Sequence, residues 1–481
     1  MVCLPTGVWA EPLLQTDLEE EPRRQLEPAL PSGLTLPDTK SNAEPSLPGG
    51  LVTPTSGGGP RLPSGIGGDQ LISDSTANDE TTNTSLSSLQ GFIEARGGRR
   101  INNDPLQRDT SLAEGRLQLA LDFTGEKITA RFTSDLLLDD VVENDSISLD
   151  RGQGEIDVRE AWLQRPVGQR LDIKLGRQIL TWGTGDLVFI NDLFPKDWNS
   201  FFIGRDTEYL KAPSDAIKFS LYLDAVNIDV AWTPRFDSDR FIDGRRISFF
   251  NRLVGGLTGR DAPVEPDFPS DGEQALRLYK TINGIEIAAY GYQGYWKSPN
   301  GFNPETGNTI FPRLDVWGAS VRGNFAKGIA NAEVGYYKSG DDGDGSNPFI
   351  NNTEFRALLA FEKELAPNLT GAFQYYIERI SDYENYRNAL IEGQPQRDRI
   401  RHLLTTRITR LTHNQNMTWS LFLYYSPSDE DGYARPKLSW KASDAMLIEG
   451  GFNLFRGAKQ VTFFGQFEDV SNVYAGIRYS F

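Results

Sequence analysis

The sequence predicts an all-β fold: a transmembrane, antiparallel, up-and-down β-barrel of about 18 strands, with 16 as the alternative count, behind a disordered N-terminal extension. Three observations lead to this prediction. Segments of about ten residues alternate apolar and polar side chains. Their connections alternate between short and long, and the chain ends on a strand-like stretch, NVYAGIRYSF. A soluble all-β protein is the alternative.

Composition excludes several other classes for this chain of 481 residues. No run reaches the roughly 18 apolar residues that a membrane-spanning helix needs. Cys3 is the single cysteine, and the two histidines, His402 and His413, leave little room for a histidine-built metal centre. The net charge of −17 argues against a nucleic-acid partner. We therefore expect no cofactor and no metal site.

The N-terminal part divides into two segments. Residues 1–10 are predicted to be the remnant of a signal peptide, because Val8 and Ala10 suit the −3 and −1 positions of a cleavage site; a short disordered start is the alternative. Residues 11–87 hold ten prolines, no aromatic residue, and twelve acidic against four basic residues. Such a segment buries too little apolar surface to offset its ordering entropy, so we expect a disordered spacer or partner-binding tether.

Residues 88–481 are predicted to form the barrel. In 117–123, the side chains of Leu117, Leu119 and Leu121 face one way, and Gln118 and Asp122 face the other. Eighteen candidate strands follow in order: 88–96, 112–124, 128–138, 155–164, 171–180, 216–223, 226–233, 274–282, 285–297, 313–325, 329–338, 353–364, 369–379, 400–411, 416–426, 433–441, 445–455 and 471–481.

The connections between these segments alternate strictly between short and long. Asp224-Ala225 and Asn283-Gly284 are short, whereas 181–215, 234–273 and 380–399 are long. Outer-membrane barrels have tight periplasmic turns and extended outer loops, whereas a soluble sandwich has no reason to place every long loop at one end. Both ends of the predicted barrel fall on the short-turn side.

Aromatic residues near the ends of strands suit the interfacial girdles of a membrane barrel. The residues in question are Trp162, Trp232, Trp296, Trp419, Tyr424 and Tyr425.

The last strand carries an apolar face that ends in an aromatic residue. It resembles the closing strand of Gram-negative outer-membrane barrels, whose terminal aromatic residue is read by the barrel-insertion machinery. The resemblance implies that Tyr479 and Phe481 form an assembly signal and that the insertion machinery is a partner. An edge strand of a soluble sheet is the alternative.

A second resemblance rests on GRQILTWG, residues 176–183. The motif is similar to the G-R-Q-x3-W-G signature of alginate-export-like porins and of a related, uncharacterised proteobacterial barrel family. It comprises Gly176, Arg177, Gln178, Trp182 and Gly183. The resemblance implies an outer-membrane channel or exporter, and it carries over no substrate-binding residue. We expect close backbone approach at Gly176, an aromatic-belt position for Trp182, and a rim-bracing role for Arg177 and Gln178 rather than contact with a ligand.

The predicted inner face carries charges of both signs in equal number. The candidate pore-lining residues on strands are Arg116, Asp122, Arg131, Asp135, Asp172, Lys174, Lys218 and Asp229. Loop 234–273 holds six arginines between Arg235 and Arg260, among them Arg240, Arg245 and Arg246. Inside the lumen these arginines would favour anions; facing outward, they would bind lipopolysaccharide phosphates or form surface ion pairs.

The acidic run DDGDGSN at 341–347 has carboxylates that suit calcium, but its spacing is not that of an EF-hand. A solvated acidic loop is the simpler interpretation, and we predict no metal there.

Three classes of function remain. We favour a porin-like channel for small polar or anionic solutes in the outer membrane of a Gram-negative bacterium. The alternatives are the outer-membrane outlet of an export system with a periplasmic or inner-membrane transport partner, and the sheath of an electron conduit. We expect no enzyme, because His402 and His413 are predicted at the periplasmic side, far from the outer rim. Outer-membrane lipid and lipopolysaccharide are the expected surroundings.

Overall fold

A computed structural model of the chain describes residues 86–142, 147–392 and 394–481. The predicted signal remnant at 1–10, and all of segment 11–87 except its last two residues, lie outside the described residues.

The described residues form mostly β-strands. In chain order these are β1 Leu86–Arg100, β2 Thr110–Thr124, β3 Thr129–Asp139, β4 Ile156–Val167, β5 Leu171–Gln178, β6 Ser214–Tyr222, β7 Asn227–Thr233, β8 Phe249–Asn251, β9 Gly256–Thr258, β10 Glu273–Ile282, β11 Ile285–Tyr295, β12 Gly301–Asn303, β13 Asn308–Ile310, β14 Arg313–Phe325, β15 Gly328–Ser339, β16 Glu354–Ala366, β17 Leu369–Ile380, β18 Ile400–Thr412, β19 Met417–Ser426, β20 Asp431–Lys441, β21 Met446–Gly457 and β22 Asn472–Ser480. Two short α-helices, α1 Trp198–Ile203 and α2 Tyr383–Ala389, and two 3-10 turns, Thr207–Leu210 and Gly465–Val470, lie in the connections.

Eighteen of these strands form one closed antiparallel sheet. Each strand pairs with its neighbours along the chain, and β1 pairs with β22 from Phe92↔Ser480 to Arg100↔Asn472. This last pairing removes both sheet edges. The predicted 18-stranded barrel is therefore confirmed, and the 16-strand alternative is wrong.

The predicted strands 155–164 and 400–411, which do not alternate cleanly in sequence, are both barrel strands. The irregularity of β4 has a local cause: the β3–β4 register shifts between Thr133 and Ser134, and Arg159 is the residue left over. Such a bulge interrupts the period of two. The sequence reading missed the small hairpins β8–β9 and β12–β13, because their three-residue strands are too short to show a period.

The long connections all lie at one end of the barrel and the short turns at the other, except that the four-residue connection 427–430 lies at the long-loop end. Asn283-Gly284 is a two-residue turn in which both residues have positive φ, 51° and 77°. That backbone suits a two-residue hairpin. Among the described residues, no helix is long and apolar enough to cross a membrane.

The outer face of the barrel is apolar, as a lipid-facing surface must be. Leu119, Leu121, Leu136 and Leu138 are exposed there. The predicted aromatic girdle is correct for only half of its members. Trp232, Trp419 and Tyr425 are exposed, whereas Trp296 and Tyr424 are buried inside the barrel.

Trp162 is the third residue for which the predicted girdle position is wrong, because its side chain also faces the lumen. The Nζ atom of Lys174 lies 3.8 Å from the centre of its ring. The prediction failed for these three residues because a position near a strand end does not tell which face a side chain takes.

We expect the folded barrel to be heat-modifiable. A closed hydrogen-bonded sheet resists detergent until it is boiled, so unboiled protein should migrate faster on a gel than boiled protein. Circular dichroism of the unboiled sample should show a β spectrum. Equal migration of the two samples, or a helical spectrum, would contradict a closed barrel.

Candidate functional site

The connection 179–213 folds into the barrel and is anchored by one buried carboxylate. Glu333 on β15 is 1% exposed and points inward. Its two oxygens accept five hydrogen bonds of 2.8–3.1 Å from Thr184, Gly185 and Asn191. Charge-assisted hydrogen bonds of this kind are stronger than neutral ones. The first part of the loop is therefore held firmly against the inner wall.

A second set of contacts fixes the same loop on the neighbouring wall. The Gln374 side chain on β17 accepts from the Asp186 backbone N–H and donates to its carbonyl, each at 2.7 Å. The Asp186 carboxylate lies 2.8 Å from Arg407. Burial raises the pKa of Asp186 to about 6, and Arg407 opposes that rise.

Helix α1 carries the loop across to the opposite wall. Asp197 caps its start by accepting from the Ser200 backbone N–H at 2.7 Å, and Gly204 ends it with φ 93°. A Cβ at Gly204 would lie 2.2 Å from the Tyr474 ring, so only glycine fits there. Asn472 donates to the Phe202 carbonyl at 3.0 Å, and Tyr209 donates to Asp135 at 2.9 Å.

One flank of the loop is packed by apolar and aromatic side chains. Phe201 and Phe202 of α1 contact Tyr433, with ring centres 5.9 and 5.7 Å apart. Phe202 also lies 5.1 Å from Phe455. These residues belong to a buried cluster of loop and inner-wall side chains. Such packing excludes water from this side of the loop.

The connection 234–272 covers the other, charged flank of the loop and brings three arginines into the barrel. Arg240 forms a two-pronged ion pair with Asp157 at 2.7 and 2.8 Å, and lies 3.6 Å from Asp197. Its guanidinium lies against Gly152, where any Cβ would clash with it. The acidic residues of the wall thus hold this loop as well.

The other two arginines of this group are also paired. Arg246 contacts Asp139 and lies 3.6 Å from Glu114. Arg245 contacts Asp243 at 2.5 Å and also Glu265. Arg240 and Arg246 are buried, and Arg245 is partly exposed.

A cavity of about 70 Å³ lies among these groups. Five arginines and four aspartates line it: Arg151, Arg205, Arg240, Arg245 and Arg246 with Asp139, Asp197, Asp239 and Asp243. Because opposite charges lie on facing elements, a strong local electric field crosses this cavity. The net charge of its lining is small.

The eight predicted strand charges all lie on the inner face. Six of them form three ion pairs: Arg131 with Asp122 at 2.6 Å, Lys218 with Asp229 at 3.6 Å, and Arg116 with Asp135. Asp172 accepts from Tyr222 at 3.4 Å. Arg116 and Asp135 are buried together under Tyr209, and Lys174 lies over Trp162 as described. The remaining exposure of Arg131 and Lys218 leaves them in contact with the aqueous lumen toward the short turns.

The motif at 176–183 forms the junction between β5 and the in-folded loop. Gly176 has φ 114°, and a Cβ there would lie 2.2 Å from the Ala161 carbonyl oxygen, as close approach predicts. Arg177 contacts Asp215 at 2.7 Å and Asp150 at 2.9 Å, and Gln178 donates to the Ala216 carbonyl at 2.9 Å.

The predicted belt position of Trp182 is wrong. Its side chain is buried in the lumen, with its ring centre 4.9 Å from that of Phe194. Gly183 has φ 84°, and a Cβ there would lie 2.9 Å from Glu333. The motif therefore turns the chain inward instead of marking the membrane interface.

The described residues contain two acidic clusters. Asp150, Asp215 and Asp237 lie within 4.8 Å of one another. Arg177 supplies their counter-charge, and burial raises the pKa of Asp237 to about 7. In the run 341–347, Asp342 accepts from the backbone N–H groups of Ser346 and Asn347.

The histidines lie at opposite ends of β18, contrary to the prediction that both are periplasmic. His402 is at the long-loop end, where its Nδ1 lies 2.7 Å from the Tyr375 hydroxyl; His413 is in a short turn. The prediction is wrong because β18 has 13 residues and spans the barrel wall, so its two ends lie on opposite sides. With about a barrel height between them, the two rings cannot share a site.

The most consequential residues were missed by the sequence reading: Glu333, Gln374, Glu114, Asp157 and Asp197. Four of them are acids or amides at inward positions of alternating strands. That pattern could have identified these residues as candidates. Their hydrogen-bond partners could not be identified, because they lie more than 80 residues away in the chain.

The terminal residues complete the barrel seam. Phe481 and Gly91 exchange backbone hydrogen bonds of 2.9 and 3.0 Å. The Phe481 ring lies against Gly91, where a Cβ would be 2.8 Å from it. Tyr479 pairs with Ile93 and Met446 and is exposed on the outer face.

We expect Phe481→Ala to slow assembly, because it removes the proposed recognition residue and the ring that covers the seam at Gly91. The heat-modifiable band in outer membranes should fall several-fold. Phe463→Ala, an exposed phenylalanine in a connection, is the control and should leave the band unchanged. Equal band intensities in both variants would remove the assembly role.

No protein-family model matches the sequence. No curated protein matches it either. Among solved structures, OccAB4 of Acinetobacter baumannii is similar over 83% of this chain and 98% of its own, with 10% identity and a TM-score of 0.51. OccAB3 of the same organism (8% identity, TM-score 0.48) and OpdK of Pseudomonas aeruginosa, solved with vanillate (9%, 0.48), each match over 82% of this chain and 99% and 98% of their own. The likeness to OccAB4 shows the fold: the chain has the fold of an outer-membrane β-barrel.

Proposed function

We propose that this chain is a porin-like channel of the Gram-negative outer membrane that passes small polar solutes. The observation that carries the proposal is the in-folded connection 179–213. This connection narrows the lumen of the closed barrel by apolar packing against one side of the wall. On the other side of the lumen it leaves ion-paired, partly exposed groups. A narrowed, charged passage selects solutes by size and polarity.

The preference for anions is a further part of the proposal. Arginines from connection 234–272 supply positive charge to the passage, but aspartates on the facing elements nearly balance it. We therefore propose a mild preference for solutes that carry a carboxylate, which the guanidinium fork binds well.

The proposal also covers the family and the partners. The motif from Gly176 to Gly183 begins the in-folded loop, which supports kinship with alginate-export-like porins. An outlet for an export system remains compatible with the same architecture and would need a transport partner. An electron-conduit sheath is less well supported, because connection 179–213 occupies the space that a partner cytochrome would need.

Liposome swelling tests the function. Vesicles that contain the folded protein should swell in small sugars and amino acids, and more slowly in larger oligosaccharides. Vesicles with the same amount of heat-denatured protein are the control. Equal, negligible swelling in every solute, together with no current in planar bilayers, would contradict a channel.

A further inference from the structure

An aromatic row on the lipid-facing side ends in an arginine that has no ion-pair partner among the described residues. Trp317 on β14, Tyr336 on β15 and Phe355 on β16 stand opposite one another in register, and Arg379 on β17 is opposite Phe355. The Trp317 and Tyr336 rings are stacked, with centres 6.3 Å apart and planes 26° apart. All four side chains are exposed on the outer face near the long-loop end.

A second unpaired cation lies beside this row. Lys338 is two residues beyond Tyr336, on the same outer face of β15. Within the described parts of the chain, neither Lys338 nor Arg379 makes an ion pair or a side-chain hydrogen bond. From strand spacing, the two backbones are about 12 Å apart. Long side chains of this kind can reach groups between them.

Unpaired charges at the level of an aromatic belt need a counter-ion. Aromatic girdles lie at the depth of lipid headgroups, and a charge facing lipid is costly unless it reaches a polar partner. Asp315 is opposite Lys338 in register but forms no ion pair with it in the described residues, and the nearby Arg313 is already paired with Asp341. In the described residues, therefore, no anion is paired with Lys338 or Arg379.

We propose that Lys338 and Arg379 bind the phosphate groups of a phosphorylated outer-leaflet lipid, with Trp317, Tyr336 and Phe355 beneath its headgroup. An arginine fork and a lysine ammonium are both suited to phosphate oxygens. The apolar surface of the barrel below the row accommodates the acyl chains. This site is separate from the lumen and does not depend on the channel function.

The test uses native mass spectrometry of the full-length protein in detergent, titrated with diphosphorylated lipid A or with the same lipid after removal of its phosphates. Wild-type protein should hold one diphosphorylated lipid far more tightly than the dephosphorylated one. Lys338→Gln with Arg379→Gln should weaken that binding about ten-fold per contact removed. Lys338→Arg with Arg379→Lys should retain most of it.

Arg456→Gln is the matched control. Arg456 is also exposed and unpaired within the described residues, but it lies opposite Gly432 on β20, away from the aromatic row. Its loss should leave binding unchanged. Equal binding of the phosphorylated and dephosphorylated lipids, or equal losses in the double variant and the control, would overturn the proposal. Gel heat-modifiability confirms that every variant is folded.

Discussion

Glu333→Gln is expected to release connection 179–213 from the wall and to raise single-channel conductance. The amide oxygen of the introduced glutamine can still accept hydrogen bonds from one part of the loop. Its NH2 group then faces the N–H donors of either Thr184 or Asn191, and two donors cannot form a hydrogen bond. The charge assistance of all five hydrogen bonds is lost as well. A loss of about 3 kcal/mol in docking would raise the undocked population roughly a hundred-fold.

Planar bilayer recordings measure this effect. We expect larger and noisier current steps than in the wild type, because the loop would exchange between docked and undocked positions. Liposome swelling should extend to larger oligosaccharides. The stability of the barrel itself should change little, since the strand pairing of β15 with β14 and β16 does not involve the Glu333 side chain.

Glu160→Gln is the matched control for the charge change. Glu160 also faces the lumen, but its partners are Trp162 and Arg131 on the wall and not the in-folded loop. It removes one negative charge without touching the anchor. If Glu333→Gln and Glu160→Gln gave the same conductance, the five hydrogen bonds would not hold the constriction.

Replacement of Arg240, Arg245 and Arg246 by glutamine is expected to shift the channel toward cations. The three substitutions remove three positive charges and leave Asp157 and Asp139 without their partners in the lumen. Charges in a confined passage are screened less than charges on an open surface. Reversal potentials under a salt gradient should therefore move clearly toward the cation equilibrium potential.

The same loop supplies its own control. Arg235, Arg252 and Arg260 are the other three arginines of connection 234–272, and all three are exposed. Their replacement by glutamine removes the same charge with little effect on the passage. The single variant Arg245→Gln is included because the triple variant could misfold. Arg245 is partly exposed, so its replacement should leave the fold intact. An unchanged reversal potential in the triple and the single variant would place these arginines outside the conduction path.

The strands of this protein could be read from the sequence because the signal is local. Alternation over about ten residues identifies each strand and its outward face. The strand at 313–325 was predicted to the residue, and all eighteen barrel strands were found. Pairing then follows from chain order, since antiparallel neighbours joined by short turns have few other arrangements.

The interior could not be read in the same way, because its contacts join residues that are far apart in the chain. Trp182 and Tyr424 are of the residue types that form aromatic girdles, but both are buried by packing of the in-folded connection between β5 and β6. Glu333 is one of several inward carboxylates, and its role depends on Asn191, 142 positions away, which donates to it.

The sequence by itself therefore predicted the barrel, a count of about 18 strands with 16 as the alternative, and the end of the barrel that carries the long loops, since these depend on period and connection length. Only the tertiary structure decided which loops fold inward, which charges pair across the lumen and where the passage narrows. Those features depend on the burial of polar groups, which must find hydrogen-bond partners wherever the closed wall offers them.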